Sequence, residues 1–175
     1  MDLASDLSKG LRALGLNCSG QQQQLLLNYL QLLDKWNQHF NLTAVRDVRQ
    51  MLRVHLLDSL SIAGFVHGQH LLDVGTGAGL PGIPLAICFP DMKIILLDSN
   101  GKKIRFCRQA IMELGLENVS ALQQRIETFP AETEIDQITT RAFTSLPNML
   151  AWLGPLMKSS TELLAMKGQL PKGEI

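Results

Sequence analysis

Over roughly the first 65 positions apolar residues recur every three or four places, and from about residue 69 they gather into short runs instead. The first rhythm is that of amphipathic helices. Leu3, Leu7, Leu11 and Leu14 mark one helix. Ser19 and Gln22 form a capping box, and the stretch after it sets Leu25, Tyr29, Leu32, Trp36 and Phe40 on its apolar side. The segment NLTAVRD breaks the pattern, and Asp47 with Gln50 opens a further helix through Leu52, Leu56 and Leu60. In the second rhythm HLLDV, KIILLDS (93–99), VSALQ (119–123), IDQITT (135–140) and ELLAM (162–166) read as strands. Helical segments lie between them near 82–89, 101–114 and 145–158, and Ile104, Cys107, Ile111 and Leu114 share one face of the second. Strands alternating with helices at this spacing predict βαβ units. Runs without strict alternation suit strands covered on both faces. The expected fold is α/β: a mainly parallel sheet with helices on both faces, preceded by N-terminal helices. The change of rhythm near Phe65–Gln69 divides the chain into a helical extension, 1–66, packed on a core, 67–175.

Composition adds limits. A chain of 175 residues with 46% hydrophobic content is globular and long enough for one covered sheet. Lys plus Arg equal Asp plus Glu at 16 each, which argues against a generally basic nucleic-acid binder, so local clusters matter more. Lys102, Lys103, Arg105 and Arg108 form an acid-free run, and Arg46, Arg49, Arg53 and His55 another. Each is either a phosphate-contacting surface or a solvated helix face. Cys18, Cys88 and Cys107 lack CxxC spacing and read as reduced thiols. His67 and His70 have no third ligand at convincing spacing, so no metal site is expected. No apolar run approaches a membrane span, and the acidic N-terminus has no signal-peptide core. The expectation is a soluble, cytoplasmic monomer.

The most informative stretch is Asp73-Val-Gly75-Thr-Gly77-Ala-Gly79-Leu-Pro81-Gly82. It follows the first strand and leads into a helix, a corner where α/β sheets bind ligands. Gly77, Gly79 and Gly82 satisfy the dinucleotide fingerprint GxGxxG. Asp73, Gly75, Gly77 and Gly79 satisfy DxGxGxG, the form found in methyltransferases, and the position of Gly75 directly after the strand favours this register. The Asp73 carboxylate would favour a ligand carrying ammonium and sulfonium charges and repel a pyrophosphate. Asp98, at the end of the second strand, is placed to accept from ribose hydroxyls, or else to cap the next helix.

Six segments together resemble the bacterial small-subunit rRNA methyltransferase G family: FNLTA (40–44), HLLDSL (55–60), LLDVGTGAGLPGIPLAI (71–87), LLDSNGKKIRFCRQ (96–109), TRAF (140–143) and AMKGQ (165–169). They follow the family's order from residue 25 onward. The resemblance implies a class I, Rossmann-like methyltransferase that uses S-adenosyl-L-methionine to methylate N7 of a guanine in the 530 loop of 16S rRNA, within the small subunit or an assembly intermediate. It places cofactor contacts on Gly75, Leu80, Ile126, Glu127 and Arg141. General class I geometry adds Gly77, Gly79 and Asp98. It also implies further C-terminal strands beyond PKGEI, so the chain is expected to be truncated.

Guanine N7 carries a free lone pair and needs no general base. Consistently, TTRAFTSL has neither an NPPY-type motif nor a cysteine nucleophile. Catalysis is expected from positioning and desolvation, with Arg141 as the candidate active-site side chain and Lys167 on the same rim. Arg141 is read equally well as an ion-pair partner of Asp98 or Glu127. Two other classes remain open: an NAD-dependent oxidoreductase, which would need a Tyr or His near strands four or five, and a non-catalytic RNA-binding assembly factor. His55 and Asp58, three apart on one helix face, are expected to tie the N-terminal helices to the core.

Overall fold

The computed structural model describes residues 2–141 and 146–166. Five parallel strands form its sheet: β1 (His70–Val74), β2 (Lys93–Asp98), β3 (Val119–Gln123), β4 (Gln137–Arg141) and β5 (Glu162–Met166), in the order β3-β2-β1-β4-β5. The helices are α1 (Leu3–Ala13), α2 (Gly20–Phe40), α3 (Val48–Met51, a π-helical stretch Leu52–Leu57, then Asp58–Leu60), α4 (Gly82–Cys88), α5 (Gly101–Leu114) and α6 (Leu146–Leu153). The expected α/β architecture is therefore present, with β1 at the centre.

Side chains alternate across the sheet, and the two faces bury different partners. Leu71, Ile94 and Leu96 join one apolar cluster with the leucines of α1, α2 and α3 and with Ile83, Ile104 and Phe106. Leu72, Val74, Leu97 and Ile138 join the other, with Ile126, Phe129, Met149 and Leu153. The N-terminal helices thus share a core with α4, α5 and the sheet.

The buried arc of α2 matches the expected one only at Tyr29 and Leu32. Leu26, Tyr29, Leu30, Leu33 and Asn37 are its deepest residues, whereas Leu25 and Trp36 are half-buried and Phe40 is 36% exposed. The helix packs against α1, α3, α4 and α5 at once, so its covered arc is wider than one stripe and is centred elsewhere. Leu14, which caps the end of α1, is likewise exposed. The two predicted caps are present: Ser19 Oγ accepts from Gln22 N at 3.2 Å while Gln22 Oε1 accepts from Ser19 N at 2.8 Å, and Asp47 Oδ1 accepts from Gln50 N at 2.8 Å.

Within α3 the buried residues fall in pairs, Met51–Leu52, His55–Leu56 and Ser59–Leu60. Their repeat is four residues. An α-helix turning once per 3.6 residues would carry such positions about 40° further round at each step. The wider π turn at 52–57 keeps them on one face, and His55 with them.

Candidate functional site

At the carboxyl ends of β1, β2 and β4 lies a cavity of about 620 Å³, a size typical of small-molecule sites. Its floor is the turn after β1. Gly75 (φ 69°) and Gly77 (φ 60°) adopt left-handed backbone there, which glycine reaches without steric cost. Leu97 O accepts from Gly75 N and Thr76 N at 2.8 and 3.1 Å, so the turn is fastened to the end of β2. Gly75, Gly77 and Leu80 line the cavity as expected.

Gly79 does not line the cavity. A Cβ at Gly79 would lie 2.4 Å from Ile83 Cδ1, so this glycine serves close packing behind the turn. Asp73 is also displaced from its expected role. It is fully buried and absent from the cavity wall; its Oδ2 accepts from Thr76 Oγ1 at 2.6 Å and Gly82 N at 2.9 Å. Oδ1 has no partner among the described residues. Burial pushes this carboxyl up to about 7. Strand alternation turns Asp73 beneath the loop, where it joins the turn to the start of α4 instead of facing a ligand.

The carboxylates on the wall are Asp98 and Glu127. Asp98 Oδ2 accepts from Gly77 N at 2.9 Å and Oδ1 from Asn100 N at 2.8 Å. A carboxylate has about four acceptor positions, so each oxygen retains one for the cavity, a match for a ribose diol. The cap of α5 is Asn100, which accepts from Lys102 N and Lys103 N, and this leaves Asp98 available. Ile126 and Glu127 arrive on a single turn after β3, Ile126 buried and Glu127 exposed, both on the wall.

Arg141 closes the opposite side from the last position of β4. Its ion pair is with neither Asp98 nor Glu127. Nη1 lies 3.3 Å from Asp58 Oδ2 and 3.5 Å from Ser59 Oγ, and Nη2 lies 3.1 Å from His55 Nδ1. The i, i+3 pair on α3 therefore does join the N-terminal helices to the core, and does so through this arginine. His55 Nε2 meets Thr43 Oγ1 at 2.7 Å, and both residues line the cavity.

Sequence reasoning missed several contributors. Tyr29 is fully buried in α2, and its hydroxyl donates to Ala78 O at 2.7 Å, bracing the glycine turn from behind. Thr43 and Leu42, from FNLTA, and Trp152 of α6 line the cavity. The motif itself was the available signal for the first two. The predicted Lys167 lies outside the described residues.

The basic runs separate. Lys103 is on the cavity wall, and Lys102, Arg105 and Arg108 line an adjoining groove beside Phe40. Arg46 stays exposed and folds back on the end of α2, donating to Asn37 O at 2.8 Å and to Asn41 Oδ1. His67 meets Glu162 at 2.8 Å and His70 lies 3.6 Å from Asp136, at the other end of the sheet. Among the described residues no three His, Cys, Asp or Glu side chains are grouped to hold a metal, and no helix is long and apolar enough to cross a membrane.

Known proteins resemble this chain in sequence and in fold. The pattern that describes the family "rRNA small subunit methyltransferase G" matches residues 22–175. A ribosomal RNA small subunit methyltransferase G of Marinobacter nauticus is 53% identical over 169 residues, covering 97% of this chain and 79% of that protein. One from Psychromonas ingrahamii is 47% identical over 175 residues, covering 100% and 84%. Among solved structures, a SAM-dependent methyltransferase of Aquifex aeolicus superposes with a TM-score of 0.53 at 23% identity, over 70% of this chain and 72% of that one. A precorrin-6y C5,15-methyltransferase of Geobacter metallireducens gives 0.54 at 16% identity, over 75% and 67%.

Proposed function

We propose that this chain, which belongs to the rRNA small subunit methyltransferase G family, transfers a methyl group from S-adenosyl-L-methionine to N7 of a guanine in the 530 loop of 16S rRNA. Its substrate particle is the small subunit or an assembly intermediate, and it acts as a cytoplasmic monomer.

The wall residues suit the cofactor. Gly75 and Gly77 let a ligand approach the backbone, Asp98 offers two acceptor positions to the ribose, and Ile126 with Glu127 borders the nucleoside end. Bound there, S-adenosyl-L-methionine supplies an electrophilic methyl group on a sulfonium. The chain's own contribution is then placement and exclusion of water.

The observation that carries the choice of N7 is the state of His55. Among the described residues it is the one imidazole on the cavity wall, and both its nitrogens are engaged. Nδ1 lies 3.1 Å from both Arg141 Nη2 and Val54 O, and Nε2 lies 2.7 Å from Thr43 Oγ1, so each nitrogen has a partner within the fold in either tautomer. Burial first, and the Arg141 charge second, lower the pKa of this imidazole and hold it neutral. Neither nitrogen is free to take a substrate proton. Guanine N7 asks for none, since its lone pair is already free. Arg141 is suited to guanine O6 or a target phosphate.

Two measurements test this. Calorimetric titration should show binding of S-adenosylhomocysteine and none of NAD. Incubation with S-adenosyl-L-methionine and unmodified small subunits should place 7-methylguanosine in the 530 loop. A methyl group on an exocyclic amine or on a pyrimidine would refute the reading.

A further inference from the structure

We infer that His55 is a positioning residue: through Nδ1 it fixes the direction of the Arg141 guanidinium, so that the N-terminal helices set the geometry of methyl transfer. The inference rests on the placement of Arg141 in the active site argued above.

Arg141 stands at the end of β4 with the side chain 21% exposed. A long side chain at a cavity rim has many rotamers, and fixing it in one costs side-chain entropy. Three groups on one element restrict it. The ion pair with Asp58 is half-exposed, at 51% for the acid, and screened pairs of that kind hold a side chain weakly. Ser59 Oγ is at the limit of a hydrogen bond. His55 is 6% exposed, and its ring lies between Arg141 and Thr43 with bonds on both sides. It is the buried, directional member of the set.

The chemistry of the ring supports a purpose beyond packing. Arginine beside histidine is unfavourable for a protonated ring, because both then donate. The bond to Arg141 uses the Nε2–H tautomer, in which Nδ1 accepts from Nη2 and Thr43 Oγ1 at 2.7 Å takes the Nε2 proton; Val54 O, also 3.1 Å from Nδ1, is the acceptor the other tautomer would use. Thr43, His55 and Arg141 therefore form a relay of orientation from the loop after α2 to the end of β4. The π turn of α3 presents His55 on the same face as Ser59.

The test compares H55L, H55N, T43V and R141M in the full chain. Each is measured for S-adenosylhomocysteine affinity, unfolding midpoint and methyl transfer to small subunits. Asparagine offers its carbonyl oxygen near the place of Nδ1, while leucine offers no acceptor. H55L should lower kcat at least tenfold with KM for the particle changed less than threefold, and H55N should recover most of that loss. T43V should fall between them. The 15N spectrum of wild-type His55 should report the Nε2–H tautomer near neutral pH. An Nδ1–H tautomer, or equal losses in H55L and H55N, overturns the inference. Loss in R141M with full activity in H55L overturns the positioning role alone. Full activity in R141M overturns the placement of Arg141 as well.

Discussion

Asp73 shows how one side chain can match a motif and still do something other than the motif suggests. In DxGxGxG the acid reads as a counter-charge for the ligand. In the fold it is a buried acceptor for Thr76 and Gly82, with one oxygen left without a partner among the described residues. The consequence is measurable. The ordinary value of this carboxyl is 3.8, and in the folded protein burial raises it to about 7. The folded state therefore holds a proton that the unfolded chain releases, and stability is lost as pH rises from about 4 through 7. The shift corresponds to roughly 4 kcal/mol at full ionisation. Asp73→Asn keeps a carbonyl to accept from Thr76 and Gly82 and has no charge to bury. Followed by denaturant unfolding from pH 5 to 8, its stability should gain steadily on the wild type, and parallel profiles would refute this account. Arg141 teaches the complementary lesson. Its place on the cavity wall follows the family resemblance in TRAF, but its partners are 82 to 86 residues away in sequence, and no local spacing reports a contact of that kind.

Elements were more legible than their contacts. All five strands and the two predicted N-terminal caps fall where hydrophobic rhythm and capping residues put them, because burial on both faces and side-chain capping leave direct traces in sequence. The phase of α2 did not, since a helix touching four others has no single apolar stripe. The π turn left no mark in the hydrophobic rhythm, since Leu52, Leu56 and Leu60, four apart, suit one face of an α-helix equally well. Gln22 also does more than its motif. Besides closing the cap of α2, its Nε2 donates to Ile87 O at 3.0 Å and Cys88 O at 3.2 Å, the last carbonyls of α4. One side chain thus satisfies the start of one helix and the end of another. Ser19→Ala should cost about 1 kcal/mol, the usual value of a lost cap. Gln22→Ala should cost about twice that, because it also leaves carbonyls of α4 without this donor. Equal losses in chemical denaturation would mean that the link to α4 contributes nothing.

For the molecule as a whole, the change of rhythm near residue 67 marks a change of secondary structure within a continuous core. Leu7, Leu26, Leu33 and Leu56 lie in the same buried cluster as Leu71, Leu96 and Phe106. Residues 1–66 alone should then show little helicity in far-UV circular dichroism and no cooperative unfolding, since their leucines would have only each other. A sharp transition in that fragment would contradict a shared core. The same arrangement bears on how the chain is made. Translation delivers α1, α2 and α3 first, yet the partners that cover them run through Ala121. At about 5–20 residues per second, roughly 3–12 s separate the emergence of Leu60 from that of Ala121. For that interval a leucine-rich segment waits beside the ribosome uncovered, open to chaperones, and the first residues synthesised are among the last to find their final neighbours.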